Sequence, residues 1–331
     1  MSTPPAAWHT VTLDRGDQGV RLDRVLLRHL SGRPGTSRTR IQAWIAAGDV
    51  LVNGRPAPRA SWRVAASDEV RVRLHEVPPR LRPSAEALPL EILHEDDDLL
   101  AVNKAAGMVV HPSYKHAAGT LMNALLAHTP TPGLVHRLDK LTSGIVLVAK
   151  RRDVHAALQR EMERRAVDKD YLAIVWGRPS PLRGTIDLAL DRDPWDRRKV
   201  TVRDRGGVPS VTRYEVAGRM RGPAEGTLSL VKCRLITGRM HQIRVHLAAR
   251  GWPIVGDPTY GAARPPRLAD PALDERARAF PRQALHAWRV AFVHPGTGRR
   301  LAIEAPLPPD MAGLLDAAGL RVPAAPETPA Q

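Results

Sequence analysis

The chain has 331 residues, 43% of them hydrophobic, with 50 Lys+Arg against 34 Asp+Glu and a formal net charge of +16. That length suits two domains, one of them large, and so basic a balance points to a polyanionic partner, either nucleic acid or an anionic membrane surface. No apolar run is long enough to span a bilayer, no N-terminal signal pattern is read, and a single cysteine, Cys233, excludes an internal disulfide and a Cys-based zinc site, so a soluble, cytoplasmic protein without a membrane partner is expected.

Leu22, Val25, Leu26 and Leu30 fall at helical spacing. Ser37 is a natural N-cap for a second helix carrying Ile41, Trp44 and Ile45, with Gly48 as its stop. Val50–Val52 reads as a strand, Asn53-Gly54 as a tight turn, and Val70–Leu74 as a half-exposed strand alternating apolar and basic residues. A small ααβ module over 15–76 follows. Its residues 15–75 hold twelve Arg and no Lys against five Asp and Glu. Pro78, Pro79, Pro83 and Pro89 mark a linker at 77–88.

From there a larger domain, 89–310, is expected. Leu99–Val102 reads as a strand, Thr120–His128 as a helix, Ile145–Ala149 as a strand, and a helix capped by Asp153 runs to about Arg165. Strands then dominate, at Tyr171–Trp176, Thr185–Leu190, Lys199–Val202, Val211–Val216 and Leu228–Leu235. Met240–Arg250 fits a helix ending at Gly251, although Ile243, Val245 and Leu247 also fit strand alternation. Residues 311–331 are expected to be a tail, disordered from Pro323 on. The fold class is therefore α+β: a mixed, mainly antiparallel sheet with flanking helices, preceded by the small ααβ domain.

Arg-Leu-Asp occurs twice, at 21–23 and 137–139. The first copy lies in an apolar-periodic helix. The second follows His136, precedes Thr142-Ser143-Gly144, and sits in a loop feeding the strand at 145–149. A loop fixed by a buried strand can aim one side chain at a substrate. An ionised Asp139, flanked by Arg137 and Lys140, is suited to act on an electron-poor carbon.

His136-Arg137-Leu138-Asp139 with Thr142-Ser143-Gly144 resembles the core motif of the RluA-type RNA pseudouridine synthases. Glu95-Asp96 through Asn103-Lys104 to Gly107 and His111-Pro112, Lys169-Asp170-Tyr171-Leu172-Ala173 with Gly177, and Thr237–His246 with Gly256-Asp257 and Tyr260-Gly261 resemble further motifs of that family, in the same order. Leu285-His286-Ala287, His294-Pro295 and Ala305–Pro308 also agree. Gly19–Asp23, Ser37–Gln42 and Gly48–Gly54 resemble the small RNA-binding module first seen in a ribosomal small-subunit protein. Departures are Leu141 where an Asp is frequent, Ala105 where a Pro is frequent, and Ser67 where a Gly is usual.

The resemblance implies an isomerase that breaks the N1–C1′ bond of a flipped-out uridine and joins C5 to C1′, acting as a monomer without guide RNA, metal or other cofactor. It assigns catalysis to Asp139, held by Arg244, with Tyr171 stacking on the uracil. Attack on C1′ and removal of the C2′ proton both fit Asp139. Arg137 would fill the vacated stack, and His136, Thr142, Lys104, Arg239 and His241 would complete the substrate site. His136, His241 and His246 are read as hydrogen-bonding groups rather than metal ligands. Arg21, Arg38 and Arg40 are the expected phosphate contacts, although Arg21 could equally pair with Asp23 or Asp49. Structured RNA is the expected partner, with large-subunit ribosomal RNA first and tRNA as the alternative. A catalytically silent RNA-binding or ribosome-assembly protein is the competing reading.

Overall fold

The computed structural model describes residues 8–33, 36–74, 83–112, 116–196, 198–221 and 226–323. It divides into two compact units, Met1–Arg82 and Pro83–Gln331, each with its own core.

In the first unit, the helices Leu22–His29 and Arg38–Ala46 bury Leu22, Val25, Leu26, Ile41 and Ile45. Ser37 caps the second helix by accepting the Arg40 N–H. They accompany a four-stranded antiparallel sheet ordered Trp8–Val11, Val70–Arg73, Val50–Val52, Arg55–Pro56. The strand Trp8–Val11 lies ahead of residue 15, where the module was expected to start. It pairs with Val70–Arg73, and Arg71 and Arg73 cover the Trp8 ring at 5.5 and 4.6 Å. So short a strand carries too little periodicity to announce itself.

The second unit is built on a ten-stranded sheet. Its main path runs Arg183–Asp187, Val211–Arg219, Leu228–Leu235, Asp168–Trp176, Leu285–Val293, Ser143–Ala149, Leu99–Lys104, Ile92–Glu95. Every pairing is antiparallel except that of Leu285–Val293 with Ser143–Ala149. All seven residues of Ser143–Ala149 are buried, as a strand covered on both faces should be. Gly144 makes that central parallel contact feasible: its φ is +109°, and a Cβ there would lie 2.2 Å from the Ala287 carbonyl oxygen.

Three expectations need correction. The strand expected at Thr185–Leu190 is broken: Arg183–Asp187 joins the main sheet, whereas Leu190–Arg192 pairs with Val200–Val202 in a separate hairpin. Between them Leu188 N–H donates to Ser210 and the Ala189 carbonyl accepts from Arg203, which turns the chain. The helix Arg152–Glu163 takes Arg151, not Asp153, as its N-cap. Finally, Pro309–Ala317 is a helix, and Met311, Leu314, Leu315 and Leu320 belong to the main core. The packed body therefore continues past 310. Of the linker expected at 77–88, residues 77–82 lie outside the described residues and 83–88 belong to the second unit, where Glu86 N–H donates to the Asn123 carbonyl; residues 324–331 of the expected tail also lie outside the described residues.

Candidate active site

Asp139 sits in the loop that leads into Ser143–Ala149, its side chain 27% exposed. The loop is fixed from several sides. Thr142 N–H donates to the Asp139 carbonyl, and the buried Thr142 hydroxyl accepts from Gln283 Nε2 at 3.1 Å. Ser143 Oγ meets His286 Nδ1 at 2.9 Å. His136 Nε2 accepts the Leu147 N–H at 3.2 Å. Burial, with the Lys169 charge adding to it, pushes the His136 pKa down to about 4, so the ring is a neutral acceptor.

Arg244 approaches from the helix Gln242–Ala249 and is 4% exposed. Its Nη1 donates to Asp139 Oδ2 at 3.0 Å, and its Nε and Nη2 donate to the two oxygens of Asp257 at 2.7 and 2.8 Å. Burial works against the Arg244 charge, but the hydrogen bonds and charges of Asp257 and Asp139 outweigh it and raise its pKa. Burial likewise opposes ionisation of Asp257 and is overcome by Arg244, which leaves that carboxyl below its ordinary range. Asp257 Oδ1 also accepts the Thr259 and Tyr260 N–H groups. Gly256 permits this turn: its φ is +69°, and a Cβ would lie 2.1 Å from the Arg282 carbonyl oxygen.

Helix Gln242–Ala249 is anchored at its start. Gln242 accepts from Thr237 Oγ1 and the Arg239 N–H and donates to the Val211 carbonyl and Thr212 Oγ1. His246 is closed off between Thr212 Oγ1 and the Leu188 carbonyl. His241, the N-cap residue in left-handed conformation, places Nδ1 2.9 Å from Tyr260 Oη and Nε2 3.8 Å from Asp139 Oδ2. Val200 N–H already donates to Tyr260 Oη at 2.8 Å. The arrangement that satisfies both groups has the Tyr260 O–H donating to an unprotonated His241 Nδ1, with the single imidazole N–H on Nε2, facing Asp139. Burial holds His241 below its ordinary pKa against the opposing pull of Asp139, which favours that neutral form. The Arg244 guanidinium lies 5.0 Å from the Tyr260 ring centre.

Tyr171 comes from the strand Asp168–Trp176, with Cys233 and Ala287 as its register neighbours. It is 6% exposed, and burial, with the Asp139 charge adding to it, pushes its pKa well above that of a free phenol. Asp170 beside it is buried and accepts both Nε and Nη2 of Arg234 at 2.7 Å. Asp139, Tyr171 and Arg244 all line one cleft of about 1190 Å³, together with His136, Arg137, Thr142, Arg239 and His241. Arg137 and Arg239 are exposed at its surface, and Arg165, Lys169 and Arg192 add positive charge to its wall.

Lys104 departs from its expected substrate contact. It is 1% exposed, and its ammonium donates to the carbonyls of Ala105, Met108 and Lys140 at 2.8, 3.0 and 3.2 Å. Burial pushes its pKa down to about 7, against the attraction of Asp139. It braces the loop that carries Asp139 from behind. Asp257 and Tyr260 had no role read from sequence, although the motif containing them was visible; only the fold shows that they hold Arg244 and His241.

In the first unit, Asp23 is wholly buried and receives Arg21 through Nε and Nη2, Arg38 through Nε and Nη2, and Gln42. Hydrogen bonding from Arg21 comes first in holding the Asp23 carboxyl far below its ordinary range. The Arg21 and Arg38 side chains remain 36% and 47% exposed, so this buried carboxylate orients two guanidinium groups at the surface.

Residues 98–249 match the family described as RNA pseudouridylate synthase, and residues 20–70 match the S4 domain. The chain is 40% identical over 315 residues to an RNA pseudouridine synthase of Bacillus subtilis (strain 168), covering 92% of this chain and 96% of that protein. It is 37% identical over 314 residues to ribosomal large subunit pseudouridine synthase D of Escherichia coli (strain K12), covering 93% of each. Among solved structures, human RNA pseudouridylate synthase domain containing 4 superposes with a TM-score of 0.56 at 26% identity, covering 71% of this chain and 95% of that one.

Proposed function

The chain belongs to the RNA pseudouridylate synthase family and is an RNA pseudouridine synthase, and we propose from this premise that it acts on large-subunit ribosomal RNA with Asp139 as its catalytic carboxylate. The target follows the names of relatives in Nitrosomonas europaea and Escherichia coli, each a ribosomal large subunit pseudouridine synthase D. RNA is the partner, and the S4 match supplies a second RNA-binding unit. We take the working unit to be a monomer in the cytoplasm; no helix among the described residues is long and apolar enough to cross a membrane.

The observation that carries the residue assignment is the 3.0 Å contact between Arg244 Nη1 and Asp139 Oδ2 inside the cleft that Tyr171 also lines. Arg244 and His241 both face Oδ2, which leaves Oδ1 of Asp139 for the ribose. As the N1–C1′ bond breaks, C1′ becomes electron-poor and the uracil takes the bonding pair. A carboxylate held by a guanidinium that is itself clamped by Asp257 meets that carbon without reorganising. The freed ring turns under Tyr171, and C5 bonds to C1′. C5 then gives up its proton and N1 ends protonated, so the product is an isomer of the substrate. Tyr171 keeps its phenol protonated, which suits it to hold the ring face and to relay a proton rather than to serve as an anionic base. Arg137 is exposed and lines the cleft, which supports the reading that it occupies the gap left by the flipped base.

The test is chemical mapping of pseudouridine in total RNA from cells with and without the gene. Loss of one or more large-subunit sites is the expected result. Loss confined to tRNA would overturn the ribosomal target while leaving the chemistry intact.

A further inference from the structure

We propose that Trp195, at the tip of the hairpin formed by Leu190–Arg192 and Val200–Val202, is a stacking platform for a base of the bound RNA next to the one being isomerised. Trp195 is 94% exposed, the most of any large hydrophobic residue among the described residues. An aromatic surface of that size held in water is unfavourable unless a partner covers it.

The loop builds this presentation. Asp193 Oδ1 accepts the N–H groups of Trp195 and Asp196 at 2.8 and 2.9 Å. Asp193 N–H donates to the Lys199 carbonyl at 3.0 Å, and Lys199 N–H donates to the Asp196 carbonyl at 2.8 Å. The turn therefore closes on its own backbone and points the indole outward, so little ordering remains to be done on binding.

The hairpin is also registered to the reaction centre. Leu190, Arg192 and Val200 line the catalytic cleft. Leu190 and Val200 pack against Val245 of the helix that carries Arg244. Val200 N–H donates to Tyr260 Oη, which touches His241 beside Asp139. A base stacked on Trp195 is thus held at a fixed offset from the carboxylate.

Chemistry favours RNA over a protein surface here. The sequence neighbours of Trp195 are charged apart from Pro194: Asp193, Asp196, Arg197, Arg198 and Lys199. A protein hot spot would sit within an apolar patch. A polyanion entering a cleft walled by Arg137, Arg165, Lys169 and Arg192 brings π-faces as well as phosphates, and stacking on an aromatic ring accepts any base. The inference rests on the isomerase activity and not on which RNA is the target.

The experiment uses the full chain and total RNA labelled with tritium at uridine C5, taken from cells lacking the gene, so that isomerisation releases tritium from every natural target. Trp195→Ala is expected to raise KM about tenfold with kcat changed less than about twofold, and Trp195→Phe to stay near wild type. An unchanged KM for Trp195→Ala overturns the proposal, including when that variant loses activity only on assembled ribosomal particles, which would mean the indole meets protein. An equal loss of kcat in both variants also overturns it, because the residue would then be supporting the fold. Wild-type protein that releases no tritium would instead bring down the isomerase assignment, a result distinct from either.

Discussion

Arg244 and Asp257 form a two-point ion pair, 2.7 and 2.8 Å, with both side chains withdrawn from solvent. Two of the guanidinium nitrogens are thereby committed to Asp257, and the third is left at 3.0 Å from Asp139. The geometry depends on a flat fork with three donor positions. Lysine concentrates its donors on one nitrogen and cannot keep the two-point pair with Asp257 while also reaching Asp139. Arg244→Lys is expected to lower kcat about a hundredfold or more through misplacement of Asp139. Asp257→Asn should show the same kcat loss with little change in KM, since Asp257 acts through Arg244. Single-turnover rates with saturating RNA measure this; wild-type kcat in either variant would refute the positioning role.

Asp139→Asn retains the shape of the loop and removes the charge. Isomerisation should fall by about three orders of magnitude or more, with RNA affinity near wild type. Filter binding alongside tritium release separates the two quantities. Retained activity would remove Asp139 from the chemistry.

The buried Lys104 ammonium donates to three backbone carbonyls. Lys104→Met fits a similar volume and takes the side-chain donor from the Ala105 and Met108 carbonyls, whereas the Lys140 carbonyl keeps the Gly107 N–H, so a loss of about 1–3 kcal/mol is expected. Because Lys140 is one of the acceptors and adjoins Asp139, kcat should fall as well. Denaturant unfolding decides it: an unchanged midpoint would show that the ammonium does not brace the loop.

His136 and His286 both have pKa values pushed down to about 4, in each case chiefly by burial. An unfolded chain binds protons at these rings below about pH 6.5, whereas the folded chain does so only near pH 4. Their contribution to stability is thus present above pH 6.5 and is lost as the pH falls towards 4, by roughly 3 kcal/mol for each ring. Thermal unfolding followed from pH 7 to pH 4 should show a falling Tm, less steep in His286→Gln. A flat profile over that range would contradict the burial of both rings.

In the first unit, Arg21 and Arg38 share the buried Asp23 and keep their outer faces in water. Replacing Arg38 and Arg40 by Ala should reduce the slope of log affinity against log salt by about one for each lost phosphate contact, with kcat unaltered. An unchanged slope would take this helix end out of the RNA contact.

The elements with strong local patterning were legible in the sequence. Ser143–Ala149 announces itself by β-branched residues, and Arg38–Ala46 by its serine cap and apolar spacing. The cluster of Asp139, Tyr171 and Arg244 followed from the family resemblance, since residues so far apart in sequence carry no local sign of proximity. What escaped was set by tertiary contact. The hairpin at Leu190–Arg192 looked like the end of one longer strand, because alternation is blind to a bend fixed by Ser210 and Arg203. The helix Pro309–Ala317 was hidden in an alanine- and proline-rich end, although Leu314 and Leu315 are buried. Lys104 entered the substrate site through the family resemblance alone; its burial against three carbonyls depends on how Ala105, Met108 and Lys140 meet.

Cys233 stands opposite Tyr171 in the strand Leu228–Leu235, fully buried, and burial raises its pKa far above that of an ordinary thiol. Sulfhydryl reagents therefore have nothing to react with on the native surface. A cysteine introduced at Arg198 would be the single point of attachment for a fluorophore, and the hairpin could be watched as RNA arrives without first engineering the background away.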